Sequence, residues 1–171
     1  MPENTLSSHR AFIGLGSNLE PRRAYLDLAI RELSTVGEIV RISSIYQTAP
    51  VGGIPQPDYL NAVLELRTPV GPLELAASMK TFEKKIGRIS RPRWHEREVD
   101  LDLLFYDDLV LESSELTVPH PEIARRAFVL VPIAELDPML EHPVLHKTVA
   151  ELRDAVGTFG VTKTDFAPTS T

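Results

Sequence analysis

Apolar positions change their spacing several times along this chain, and each change marks an element. The run Ala11-Phe12-Ile13-Gly14-Leu15-Gly16 predicts a short buried strand. Tyr25, Leu26, Leu28, Ala29, Ile30 and Leu33 then recur at roughly helical spacing, with Pro21 suited to the first turn of that helix. The β-branched residues Ile39, Val40, Ile42 and Ile45 predict one strand from Glu38 to Tyr46, running into a segment too rich in Gly and Pro for regular structure. That loop, 47–57, is a candidate lid. Residues 59–68 read as another strand, although Val63 is the only β-branched member of its apolar run and a helix stays open there. Pro72 opens an amphipathic helix ending near Ile86. An arginine-crowded stretch without period covers 87–97, after which Glu98 to Tyr106 alternate as a strand does. A short apolar helix within 129–138 and another around Val149 to Val156 complete the pattern. Residues 1–10 and 158–171 are polar and aperiodic, so both ends are expected to be flexible around one domain over 11–157.

Short connections and only two long helices predict an α+β fold, a ferredoxin-like two-layer sandwich with helices on one face of a mainly antiparallel sheet. A length of 171 residues, 43% of them hydrophobic, supports one core and not two. The chain has no cysteine, which excludes disulfides, thiolate metal sites and Cys nucleophiles. Its net charge of −6 argues against nucleic-acid or anionic-lipid partners. No apolar run approaches a membrane span and the first residues lack a signal sequence, so a cytoplasmic location is expected. Nothing resembles a heptad interface or an appended domain, and a monomer is the expected state.

The sharpest chemical signal is Val99-Asp100-Leu101-Asp102-Leu103. On a strand both aspartates face one way and the three apolar side chains the other, which sets the carboxylate-bearing Cα atoms about 6.5 to 7 Å apart. Such a pair suits a hard cation that completes its shell with water and phosphate oxygens. Taken alone, an amphipathic strand with an acidic face explains it better. The balance changes because Lys84, Lys85, Arg88, Arg91, Arg93 and Arg97 lie just upstream with a single acid, Glu96, among them. Arginine forks beside a carboxylate pair point to phosphoryl chemistry.

Other residues weigh less. Trp94 either stacks on a purine or anchors its loop. Tyr59 and Asn61 share a strand face, and the Asn amide offers a donor and an acceptor matching a pterin or purine edge, though ordinary edge residues look the same. His120, between Pro119 and Pro121, either donates to a phosphate or is a surface turn residue. Gly14, Gly16 and Ser17 suggest a dinucleotide fingerprint, but Leu19 stands where its third glycine belongs and no parallel βα units follow. Those glycines instead let the chain turn or a flat ligand approach the backbone. His9, His95, His142 and His146 lack zinc spacing, and no P-loop motif is present.

The segments IGLGSNL, SSIYQTAPVGGIPQPDYLNAV, RWHEREVDLDLLFY and LTVPHPEIARRAFVL, in this order over about Ala11 to Pro138, resemble the 6-hydroxymethyl-7,8-dihydropterin pyrophosphokinase family. The resemblance implies transfer of pyrophosphate from ATP to 6-hydroxymethyl-7,8-dihydropterin in folate biosynthesis, with AMP leaving. It implies two Mg²⁺ ions on Asp100 and Asp102, and Arg88 and Arg97 clamping the polyphosphate. Glu83, Arg93, Trp94, Leu103, Thr117, His120 and Arg126 match nucleotide-site positions, while Gly16, Thr48, Ala49, Val51, Tyr59, Asn61 and Phe128 match the pterin pocket. Several positions depart from the family pattern. His95 replaces a usual Gly or Ala, Ala49 a commoner proline, and Glu115 an arginine of some relatives, and the loop from Arg88 to Trp94 is one residue short of some. Two other readings use the same residues: nucleotidyl transfer with release of pyrophosphate, and a non-catalytic nucleotide-binding relative of the same fold.

Overall fold

β1 (His9–Ser17) is flanked by the two strands that carry the chemistry, β4 (Tyr59–Thr68) and β5 (Asp100–Tyr106), and pairs antiparallel with both. The computed structural model describes residues 7–166. The remaining elements are α1 (Arg22–Leu33), β2 (Glu38–Ile42), β3 (Tyr46–Thr48), α2 (Pro72–Ile86), β6 (Leu111–Glu112), β7 (Thr117–Val118), α3 (Ala127–Leu136), α4 (Val149–Val156) and β8 (Val161–Lys163). The main sheet has six strands in the order β5-β1-β4-β3-β8, with β2 also paired to β4, and β6 and β7 form a separate hairpin. Among the described residues no helix is long and apolar enough to cross a membrane.

The α+β, mainly antiparallel expectation holds, and α1 and α2 form the expected helical layer. Leu26, Ala29, Ile30 and Leu33 of α1, with Leu75, Met79 and Phe82 of α2, pack on Ile13, Leu15, Leu60, Leu64 and Leu101. The other face also carries helices over part of its area. There Val129, Leu130 and Ile133 of α3 and Val149 and Leu152 of α4 cover Phe12, Val63, Leu104 and Phe105. The alternation of β5 breaks where a bulge opposite Phe12 and Ile13 lets Leu104 and Phe105 both reach this second core.

Local chemistry explains most boundaries. Pro72 occupies the first turn of α2, where its missing amide hydrogen costs nothing. At α4, Thr148 and Glu151 cap each other's backbone amides in a capping box. Two boundaries differ from expectation. The strand expected over Glu38 to Tyr46 is two strands, because the Ser43 hydroxyl accepts the Val63 amide hydrogen at 2.9 Å and so replaces a ladder bond at the kink. Pro21 precedes α1 as its N-cap and does not lie within its first turn.

The ends also need correction. His9 and Arg10 belong to β1, and Val161–Lys163 pairs with β3, so neither 9–10 nor 161–163 is a loose tail. The rest of the expected tails, 1–6 and 167–171, lies outside the described residues.

Candidate active site

The site occupies the part of the second face that α3 and α4 leave open. In register across three strands, Asn61, Gly16 and Asp100 lie side by side, and so do Val63, Gly14 and Asp102. The glycines of the middle strand therefore leave a trough between the Tyr59 and Asn61 side chains and the aspartate pair. A Cβ at Gly16 would lie 2.8 Å from Asn61 Oδ1, closer than real contacts allow. Gly16→Ala is therefore expected to push the Asn61 amide aside and raise the KM for a substrate held at the Asn61 wall by roughly tenfold, with little change in the KM for one held at the aspartate pair. Steady-state kinetics with each substrate varied would check this, and an equal rise in both constants would refute it.

A cavity of about 250 Å³ fills the trough. Of the expected residues, Arg93, Trp94, Arg97, Asp100, Asp102, His120 and Arg126 line it, as do Gly16, Thr48, Ala49, Val51, Tyr59, Asn61 and Phe128. Four do not line it. Leu103 is buried in the core under α1 and α2, as the alternation of β5 requires. Thr117 lies in the β6–β7 hairpin. Arg88 is turned toward Asp100, its Nη1 3.2 Å from Oδ1, and also pairs with Glu83. Glu83, buried at the end of α2, stands behind Arg88 and holds it against the carboxylate strand, away from the cavity lining.

The polar walls are pre-set. Asn61 Nδ2 donates to Thr48 Oγ1 at 2.6 Å, which leaves its carbonyl toward the trough. Burial, and secondarily the Asp100 charge, pushes the Tyr59 hydroxyl up to about 12, so it remains a donor at neutral pH. His120 Nδ1 accepts the Glu122 amide hydrogen at 3.2 Å, which places the neutral ring's proton on Nε2, 3.8 Å from Asp102 Oδ1. Burial and then the Arg126 charge lower the His120 pKa, keeping the ring neutral. Partial burial and repulsion from Asp100 push the Asp102 carboxyl above the ordinary carboxylate range, against the pull of Arg126 and Arg88.

Two loops roof the cavity. Arg93 lies over the Trp94 ring, 4.5 Å from its centroid. Gly52 takes a φ of +100°, and a Cβ there would come within 2.7 Å of Trp94 Cγ, so only glycine lets the lid lie on the indole. The residue that joins them carries no chemical signature in the sequence. Asn18, fully buried, accepts the Arg97 amide hydrogen at 2.8 Å through Oδ1 and donates from Nδ2 to Gln56 Oε1 at 2.8 Å and to the Pro57 carbonyl at 3.0 Å. Gln56 in turn donates to the Trp94 carbonyl. Gln56 and His95 also line the cavity. The only signal in the sequence was an asparagine placed at the end of an apolar strand.

Donor chemistry limits what the carboxylates can hold. Among the described residues no cluster of three or more His, Asp or Glu side chains forms an enclosed metal site. Asp100 and Asp102, 38% and 37% exposed, could hold a hard cation only as an open pair of oxygen donors, with its remaining positions left to ligand and water oxygens.

An antiparallel sheet with an aspartate pair, cationic loop and polar trough on its open face has the donor set to bind a phosphorylated ligand beside a small flat molecule. Comparison with known proteins makes this particular. The model of the 7,8-dihydro-6-hydroxymethylpterin-pyrophosphokinase (HPPK) family matches residues 12–138. The chain is 43% identical over 150 residues to a Synechocystis 2-amino-4-hydroxy-6-hydroxymethyldihydropteridine pyrophosphokinase, covering 86% of this chain and 76% of that one. It is 38% identical over 142 residues to the Aquifex aeolicus protein of the same name, covering 83% and 89%. This chain belongs to the HPPK family. Plasmodium falciparum HPPK-DHPS shares the fold at a TM-score of 0.70 and 16% identity, over 89% of this chain and 44% of that longer one.

Proposed function

We propose that this protein transfers the pyrophosphoryl group of ATP to the hydroxymethyl oxygen of 6-hydroxymethyl-7,8-dihydropterin, in folate biosynthesis. The hydroxyl oxygen attacks the β-phosphorus, the bond from that phosphorus to the α–β bridging oxygen breaks, AMP departs with that oxygen, and the hydroxyl proton is released. The observation that carries the reading is the trough itself, with hydrogen-bonding walls at Asn61 and Tyr59 on one side and the Asp100–Asp102 pair on the other.

Asn61 and the Tyr59 hydroxyl present hydrogen-bonding groups to the heterocycle, and Phe128 and Trp94 supply aromatic surface to it. Arg93, Arg97 and Arg126 offer planar forks to the phosphates, and neutral His120 offers its Nε2 hydrogen. Two Mg²⁺ ions bound with ATP at Asp100 and Asp102 would neutralise phosphate charge and help align the reacting oxygens. Arg88, backed by Glu83, orients Asp100 for that task. Catalysis then rests on alignment, exclusion of water by the two loops, and charge neutralisation.

Incubation with Mg·ATP and the pterin, followed by chromatography, is expected to give equal amounts of AMP and pterin pyrophosphate, with no turnover in EDTA. ADP as the nucleotide product, or free pyrophosphate released with a nucleotidylated pterin, would overturn the reaction.

A further inference from the structure

One ion pair of the arginine loop has no part in the site as described. Arg91 near the start of the loop meets Glu98 at its end through two parallel bonds, Nη2 to Oε1 at 2.6 Å and Nη1 to Oε2 at 2.8 Å. Glu98 Oε2 also accepts the Ile89 amide hydrogen at 3.4 Å, and Arg91 Nη1 donates to the Glu96 carbonyl at 3.4 Å. The Glu98 side chain is 8% exposed and that of Arg91 22%. Arg91 does not line the cavity, whereas Arg93, Trp94, His95 and Arg97, held between the paired residues, all do.

Composition alone counts Arg91 among the phosphate-binding cations, and the geometry argues otherwise. A guanidinium already engaged bidentately could reach a polyphosphate only by leaving a buried carboxylate without its partner, which is strongly penalised. Pairing the two ends instead removes loop conformations before any ligand arrives. Buried Val99 follows Glu98 and Asp100 follows Val99, so the pair ties the loop to the strand that carries the aspartates. On the far side of Arg97, Asn18 holds the same end through the Arg97 amide.

We propose that the Arg91–Glu98 pair is a strap that preorganises the arginine loop for the nucleotide, making Arg91 a positioning residue and not a phosphate ligand. This rests on the pyrophosphokinase reading only for the identity of the nucleotide. Glu98→Gln keeps one acceptor but turns an amide NH₂ group or a neutral oxygen toward the guanidinium, and Arg91→Ala removes the pair from its more exposed side.

Each single variant and the double variant are compared by amide hydrogen exchange over 89–97, by affinity for a non-hydrolysable Mg·ATP analogue, and by turnover. The strap predicts faster exchange and about tenfold weaker analogue binding in both single variants, with the KM for ATP rising far more than kcat falls. It further predicts that the double variant is no worse than either single one, because one interaction is lost only once. Analogue binding that weakens in Arg91→Ala but is unchanged or tighter in Glu98→Gln would identify Arg91 as a phosphate ligand and overturn the strap. Unchanged exchange in all variants would overturn it equally. Because exchange and analogue binding need no turnover, lack of AMP from the unsubstituted protein would count against the reaction and leave this comparison intact. Should Glu98→Gln not fold, Arg91→Ala and Arg91→Lys give the same contrast, with lysine restoring binding only in part because it lacks the fork.

Discussion

Asp102→Asn is expected to lower kcat by roughly a thousandfold or more, while making the ligand-free protein more stable at neutral pH. Both effects have one origin. Asp102 lies across Gly14 from Val63 with Asp100 two residues earlier on the same face, so two carboxylates share one small space. Burial and the Asp100 charge raise its folded pKa above the unfolded value, which means that the unfolded chain ionises first as pH rises. The resulting cost is absent below the ordinary carboxylate range near pH 4, and is fully present once pH exceeds the raised pKa. Asparagine removes that cost. The gain is on the order of 1 kcal/mol, discounted because the side chain is 37% exposed and solvent screens it. In EDTA at pH 7.5 the variant should therefore melt a few degrees above the unsubstituted protein, and at pH 4 the difference should shrink toward zero. Turnover falls because a neutral amide is a poor Mg²⁺ ligand and cannot balance the phosphate charge. Retained activity would remove Asp102 from the site, and a lower Tm at pH 7.5 would show that its charge is not under repulsion.

What could be read from the sequence and what could not divides along physical lines. Strand β5 was legible because alternation alone separates Asp100 and Asp102 from Leu101 and Leu103, and α2 because Pro72 and an amphipathic period mark it. The break between β2 and β3 was not legible, since it depends on the Ser43 hydroxyl finding the Val63 amide of another strand. β8 is three residues of mixed polarity held by backbone pairing to β3, and no apolar period announces such a strand.

The same limit applies to the site. Which arginines reach the cavity is decided by carboxylate partners that only the folded loop brings into contact. Arg88 is taken up by Glu83 and Asp100, and Arg91 by Glu98, whereas Arg93, Arg97 and Arg126 reach the cavity. Gly14 and Gly16, inconclusive as a motif, gain their meaning from the residues opposite them on β4 and β5. Leu103 was expected both in the core by alternation and at the nucleotide by resemblance, and the side chain follows the alternation.

Asn18→Ala is expected to cost about a hundredfold in kcat/KM although Asn18 does not line the cavity. Its side chain joins the two roofing loops: Oδ1 takes the Arg97 amide hydrogen, and Nδ2 serves Gln56 and the Pro57 carbonyl. Alanine leaves the Arg97 amide and the Pro57 carbonyl without these partners in a site that was fully enclosed, at a cost of about 2 to 3 kcal/mol of stability. The catalytic loss comes from a different consequence. Once the Asn18 link is cut, Gln56 retains only its bond to the Trp94 carbonyl, so the lid and Arg97 no longer move as one body. Gln56→Ala removes a single strand of this connection and should cost less, while Asn18→Asp keeps the acceptor for Arg97 and sets a carboxylate against the Pro57 carbonyl. The expected order of kcat/KM is therefore unsubstituted, Gln56→Ala, Asn18→Asp, then Asn18→Ala. Assays run well below the Tm of every variant separate misplacement from unfolding. A loss that disappears on cooling would reduce Asn18 to a stability residue, whereas one that persists in fully folded protein makes it the joint through which nucleotide and pterin loops are aligned.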